Sequence, residues 1–308
     1  MSSRVLKNSR TEHERSVAVA PRRDVAEEEG SRAPAAARGY LIPIGGAVRK
    51  RRQPVILRRF VELCGDQGRI AVIPTASRDP RSGERYARAF EDLGAADARV
   101  LDFKHRSDCE RSDWMDFLAQ ADGVFFTGGK QLRLSRLLGG TRVSEMIRQR
   151  FQRGLHIAGS SAGASFMSEH MIAFGDEGAS PRTHMVALTP GLGLSTELII
   201  DQHFRRRDRL GRLLTAINYN PSSIGLGLDE NTSAFVAPDD TFEVVGSGSA
   251  TIVDASHLEY SSMGREKGDP ISMVGIRLHI LLNGARFDLL TRAVTPPPES
   301  DDREAVDR

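Results

Sequence analysis

Apolar residues along most of this chain come in short runs separated by amphipathic stretches. The runs predict buried strands at 39–46, 69–75, 99–103 and 123–126. Amphipathic helices are predicted between them. Pro54 opens one whose Leu57, Phe60, Val61 and Cys64 share a face, and Gly65 ends it. The helix over 83–93 buries Tyr86, Phe90 and Leu93, and a third carries Trp114, Phe117 and Leu118. A fourth is entered through 127–131, and a fifth covers 142–153. Residues 154–167 read as a short strand, a sharp turn and a helix long enough to include His170 just beyond. Strand and helix alternating at this spacing indicate an α/β fold, with a mostly parallel central sheet and helices on both faces. In such sheets functional groups gather at the carboxyl ends of the strands.

The pattern changes after the helix. Residues 174–196, rich in glycine and proline, are predicted to form a substrate-side loop. An apolar strand over 197–203 ends in Asp201, Gln202 and His203, a helix covers 208–219, and a strand over 224–228 ends in Asp229 and Glu230. The rest is strand-rich, at 233–237, 242–245, 251–253, 277–282 and 285–290. These C-terminal antiparallel strands are expected to pack on the same body, with His257 and His279 among them. Residues 1–38 mix charges with alanine and proline and are expected to be a disordered arm. Residues 295–308 are expected to be a disordered tail, leaving 39–294 as one α/β domain.

Composition narrows the classes of function. The 308 residues include 43 basic and 41 acidic ones, so nothing points to nucleic acid or an anionic membrane as partner. Two cysteines, Cys64 and Cys109, make neither a disulfide framework nor a zinc site and are expected to pack as small apolar residues. No apolar run approaches the length of a membrane span, and Val17–Ala20 is too short for a signal-peptide core. The cytoplasm is the default compartment.

Residues 159–163, Gly-Ser-Ser-Ala-Gly, match Gly-x-Ser-x-Gly. In a nucleophile elbow such a serine sits on a strained strand-to-helix turn with its hydroxyl above the sheet, which makes Ser161 the candidate nucleophile. Small neighbours are needed because the backbones approach closely. The N–H groups of Gly129 and Ala162 are candidate oxyanion donors. A serine nucleophile needs a base, and the base needs an orienting acid. Of the eight histidines, His203 alone follows an apolar strand in the α/β half. Asp201, Asp229 and Glu230 are the candidate acids. Asp201, two residues before His203 on one strand, should share its face. The residues alone leave the choice among the three open.

Residues 126–131 (Phe-Thr-Gly-Gly-Lys-Gln), 159–164, 190–194, 200–204 (Ile-Asp-Gln-His-Phe) and 227–230 (Gly-Leu-Asp-Glu) resemble the cyanophycinases, members of the serine peptidase family that includes the aspartyl dipeptidases. The resemblance covers roughly residues 39–292. It implies a class I glutamine-amidotransferase-like fold and a Ser161–His203–Glu230 triad, with no metal or organic cofactor. This order puts the acid after the histidine, unlike lipases and esterases. The implied substrate is cyanophycin, a poly-aspartate backbone with arginine on each β-carboxyl, or another β-aspartyl peptide. The implied product is the β-Asp-Arg dipeptide, and the implied assembly is a homodimer. Gln131, Asp201, Gln202, Arg207 and Arg212 are expected to bind substrate, Asp201 through its guanidinium and the arginines through its carboxylates. Lys130 departs from the family pattern, which has an acidic or amide residue there. The competing readings are an aspartyl-dipeptidase-like or other isopeptidase and a catalytically inactive binding homologue. An amidotransferase would carry cysteine in place of Ser161.

Overall fold

Five parallel strands, all but the edge strand buried on both faces, build the centre of the fold. The computed structural model describes residues 38–262 and 266–298. Strands β1 (Leu41–Ile44), β2 (Arg69–Ile73), β3 (Asp97–Val100), β4 (Gly123–Phe126) and β5 (His156–Ser160) lie side by side in the order β1-β5-β4-β2-β3. Successive side chains of a strand point to opposite faces. Ile70 and Val72 of β2 therefore join Phe125 of β4 in a layer under α1 (Val55–Cys64) and α2 (Ser82–Asp92). Ala71 and Ile73 join Val124 and Phe126 on the other face, under α3 (Ser112–Gln120), α4 (Gln131–Leu138) and α5 (Arg142–Phe151). Helices cover both faces, as the alternating pattern indicates. Cys64 and Cys109 are buried and free.

Beyond β5 comes α6 (Ala162–Ser165), a helix of only four residues. His170 therefore does not lie on it but opens β6 (His170–Gly175), which pairs with β7 (Val186–Pro190). The segment 174–196, expected to be a loop, thus contains a strand. Next come β8 (Leu198–Gln202), α7 (Leu210–Tyr219) and β9 (Ile224–Leu228). The rest is β10 (Thr232–Val236), β11 (Thr241–Gly246), β12 (Ala250–Asp254), β13 (Tyr260–Ser261), β14 (Met273–Val274), β15 (Arg277–Leu281), β16 (Arg286–Asp288) and β17 (Val294–Thr295). His279 lies on β15, but His257 sits in the turn after β12. The expected ends, 1–38 and 295–308, lie outside the described residues except for 38 and 295–298, and Thr295 pairs with Arg286.

Apart from the β13–β14 hairpin, the late strands split between two sheets. Four of them, β10, β11, β16 and β17, extend the β1 edge antiparallel and bring the central sheet to nine strands. A separate four-stranded sheet has the order β15-β12-β9-β8, with β8 and β9 parallel and in register from Leu198↔Ile224 to Gln202↔Leu228. Leu198, Ile200 and Leu226 of this second sheet share the core of Ala162, Phe166 and Ile157. Ile199 and Val253 face the other way, onto Leu213 and Ile217 of α7. Burying each such Leu, Ile or Phe contributes about 1.5–3 kcal/mol, so the contact between the sheets is well anchored.

Candidate active site

Ser161 stands where β5 breaks into α6. Its backbone, at φ 54° and ψ −111°, is in a region that costs a non-glycine residue about 1–3 kcal/mol. The surroundings enforce the turn. A Cβ on Gly159 would come within 2.6 Å of the Gly163 backbone, and one on Gly163 within 2.4 Å of the Phe126 carbonyl oxygen. The Ser161 N–H donates to the Ile44 carbonyl at 2.8 Å, tying the turn to the end of β1. Gly129, at φ 148°, passes so near Ala76 that a Cβ would lie 2.0 Å from its carbonyl oxygen. Among the described residues, the N–H groups of Gly129 and Ala162 donate to no backbone partner.

His203 comes from the second sheet. It lies one residue beyond β8, and its φ of 50° ends the strand's alternation. Its N–H donates to the Gly45 carbonyl at 2.7 Å. Adjacent carbonyls of one segment, Ile44 and Gly45, therefore hold the backbones of both Ser161 and His203. Glycine is required at this seam. A Cβ on Gly45 would meet the Asp229 carbonyl oxygen at 2.1 Å, and one on Gly46 the imidazole at 2.4 Å. Phe204 lies over Gly227, where a Cβ would come within 2.5 Å of its ring, and its N–H reaches the Leu228 carbonyl at 3.1 Å. These contacts lock the His203 turn to the end of β9.

The side chains form a chain of contacts. Ser161 Oγ lies 3.0 Å from His203 Nε2, and His203 Nδ1 lies 2.7 Å from Glu230 Oε1. A neutral ring with its proton on Nδ1 donates to Glu230 and leaves Nε2 to accept from the serine hydroxyl. Burial pushes the imidazole below its ordinary pKa of 6.5; Glu230 opposes the fall, while Arg207 and Arg209 add to it. Partial burial works against the charge on Glu230, but hydrogen bonds from His203 and Arg206 outweigh it and hold the carboxyl below its usual range. Arg206 Nη1 lies 2.8 and 2.9 Å from the two Glu230 oxygens. Asp229 is engaged elsewhere, accepting from the Arg205 N–H at 3.0 Å and from the Ser249 hydroxyl at 2.8 Å.

A cleft of about 270 Å³ opens over these groups, bordered by Gly129, Gln131, Ser161, Gln202, His203, Arg207, Arg209 and Arg212. Gln131 Nε2 donates to the Ile172 and Ala173 carbonyls at 3.0 Å, fixing the start of α4 to β6. Gln202 Oε1 lies 3.2 Å from Ser161 Oγ and accepts from Arg209 Nη1 at 3.0 Å. Arg207 is exposed on the rim.

Asp201 is not where its expected role requires. It is fully buried, and Arg212 grips it with Nε at 2.6 Å from Oδ2 and with Nη2 on Oδ1. Its carboxylate has no free face for a substrate guanidinium. The cause is local: the left-handed turn at His203 separates the two side chains that strand alternation would have placed together. Arg212 borders the cleft, yet its fork is committed to Asp201 and the Gly175 carbonyl. Three further residues serve the site. Arg209, at 5% exposure, faces the cleft with an Nε that has no partner among the described residues, and burial pushes its pKa down to about 10. Arg206 holds Glu230, and Gly46 packs on the imidazole. The double glycine at 45–46 was a signal for the last; nothing distinguishes Arg206 or Arg209 within the arginine run. Lys130 is exposed and does not border the cleft.

An α/β body carrying a hydroxyl, an imidazole and a carboxylate in series suits covalent catalysis through a serine. The model of peptidase family S51 matches residues 41–245, and the chain belongs to that family. It is 43% identical over 269 residues to the cyanophycinase of Trichormus variabilis, covering 86% of this chain and 90% of that one. With the cyanophycinase of Geminocystis herdmanii it shares 42% over 258 residues, covering 82% and 95%. A solved peptidase from an acI-B1 Actinobacterium shares the fold, with a TM-score of 0.57 at 22% identity, covering 72% of this chain and 93% of that one.

Proposed function

We propose that the protein is a serine exopeptidase that hydrolyses cyanophycin to β-Asp-Arg dipeptides, with Ser161, His203 and Glu230 as its triad. The observation that carries this is the contact series at 3.0 and 2.7 Å, opening into an arginine-lined cleft. The identity of 43% to a cyanophycinase supplies the substrate. In this reading residues 159–163 form a nucleophile elbow. Ser161 attacks a backbone carbonyl of the polymer as His203 Nε2 takes its proton, and Glu230 stabilises the resulting imidazolium. The N–H groups of Gly129 and Ala162 receive the oxyanion, each such donor lowering the barrier by about 2.7–4 kcal/mol. His203 then protonates the leaving amine, and water releases the acyl-enzyme. Arg207 and Arg209 offer charged donors to substrate carboxylates, Gln131 and Gln202 shape the cleft floor, and Asp201 with Arg212 positions that floor from beneath. The family resemblance further implies a homodimer, which light scattering on the purified protein addresses.

The test is incubation of the purified protein with insoluble cyanophycin and mass analysis of what dissolves. The β-Asp-Arg dipeptide is the expected product. Free arginine left beside an intact poly-aspartate would establish the isopeptidase reading instead. No soluble product would contradict both.

A further inference from the structure

A second cationic groove lies on the opposite face of the central sheet from Arg207 and Arg209. It has a volume of about 520 Å³ and runs between the segment after β1 and one side of α2. Lys50 and Arg51 form one wall. Arg85, Arg88, Ala89 and Asp92 form the other, at the i, i+3, i+4, i+7 spacing of a single helical face. Four cations thus face one carboxylate. Arg85 keeps a close partner in Asp79 at 2.6 Å, whereas Arg88 reaches Glu84 only at 3.9 Å. Lys50 stands over the Tyr86 ring, 4.3 Å from its centre. Burial and the nearby Arg85 both push the Lys50 ammonium below its ordinary pKa. Like charges crowded in this way repel, and an arriving anion relieves the repulsion.

The groove lies a short way along the chain from the candidate active site. The Tyr86 hydroxyl lies against the side chain of Ser160, the residue before Ser161. Gly46, which packs on the His203 imidazole, is four residues from Lys50. That segment spans at most about 14 Å at ~3.5 Å per residue, and an extended poly-aspartate chain covers the same distance in about four units.

We propose that this groove anchors the substrate polymer at a stretch remote from the bond attacked at Ser161. The inference rests on the cyanophycin reading above. Arginine joined through its α-amino group to a β-carboxyl keeps its own carboxylate and its guanidinium, so every polymer unit carries both charges. Lys50, Arg51, Arg85 and Arg88 suit the carboxylates, and Asp92 suits a guanidinium. A plain polyanion has no use for Asp92, and this favours the zwitterionic polymer. Binding energy from such a remote contact holds the insoluble substrate in place while the bond at Ser161 is cut.

The experiment compares the wild type, the double variant Arg51→Glu/Arg88→Glu and the control Arg153→Glu. Arg153 follows α5, which packs on the face of the central sheet away from α2. Each is assayed on insoluble cyanophycin and on a soluble fragment of two units, too short to span both sites. The double variant is expected to raise the half-saturating polymer concentration about tenfold with kcat within about twofold, and to leave kcat/KM on the fragment within about twofold. Polymer kinetics matching those of Arg153→Glu would overturn the proposal, as would an equal loss on the fragment. A wild type that releases nothing from the polymer but folds normally would overturn the cyanophycin reading itself, and the anchoring proposal with it.

Discussion

Ser161 and His203 meet at one cleft but are held by two unlike constructions. The central sheet holds the serine by backbone geometry. Gly159, Gly163 and Gly129 leave no room for a side chain, and the Ser161 turn is forced into a strained conformation. The second sheet adds charge and hydrogen bonding to the glycine seam at Gly45, Gly46 and Gly227 that seats the histidine. Glu230 and Arg206 fix the ring, Asp229 pins the Arg205 N–H, and Asp201 is clamped by two buried arginines. The lesson is that the serine's position follows from local sterics, whereas that of the base follows from a network assembled across β8, α7 and β9. The two sides should therefore break differently.

The largest effect is expected on the serine side. Ser161→Ala removes one hydroxyl from a turn built for small residues. It should lower kcat on the order of 10⁶-fold while circular dichroism and Tm stay unchanged. On the other side, Glu230→Gln keeps the shape and loses the charge that stabilises an imidazolium. Turnover should fall by about 10⁴ with KM little changed. Steady-state kinetics on the soluble fragment measures both.

Asp201→Asn tests the network rather than the chemistry. It leaves two buried guanidiniums short of a counter-charge, and urea unfolding should register a loss of about 3–5 kcal/mol. The accompanying fall in kcat/KM should be smaller, roughly tenfold to a hundredfold, transmitted through Gln202 and Arg209. A comparable loss of stability from Ser161→Ala would erase the distinction between the two sides.

The smallest effect lies in the pH profile. As general base His203 must be neutral, so kcat/KM should be flat above its pKa and fall as pH drops through it. Burial, with Arg207 and Arg209, places that acid limb below the ordinary 6.5. Arg207→Gln removes a charge that disfavours the imidazolium. The limb should therefore move up by about half a pH unit, and a downward move would contradict the electrostatic account.

This contrast also marks what the sequence made legible. Steric demands act on single residues, so Gly159, Gly163 and Gly129 could be read directly, and so could the strand-end position of His203. The separation of β8 and β9 from the central sheet could not. A strand–helix–strand unit has the same hydrophobic pattern whichever sheet it joins. Within the run from Arg205 to Arg212, nothing in residue type separates the exposed Arg207 from the buried Arg209 and Arg212. That difference arises when α7 folds back on β8. Strand alternation misplaced Asp201 because the left-handed turn at His203 depends on the Gly45 carbonyl and on Phe204 seated over Gly227, contacts distant in sequence.

The central claim is that a serine from one sheet is activated by a histidine from another. Its most direct test is labelling with a serine-directed phosphonate, followed by peptide mass mapping of the modified residue. The account expects a single adduct on Ser161 in the wild type, formed at least about 10³-fold more slowly in a folded His203→Ala variant. An adduct on another residue, or labelling of Ser161 at the same rate without His203, would contradict it.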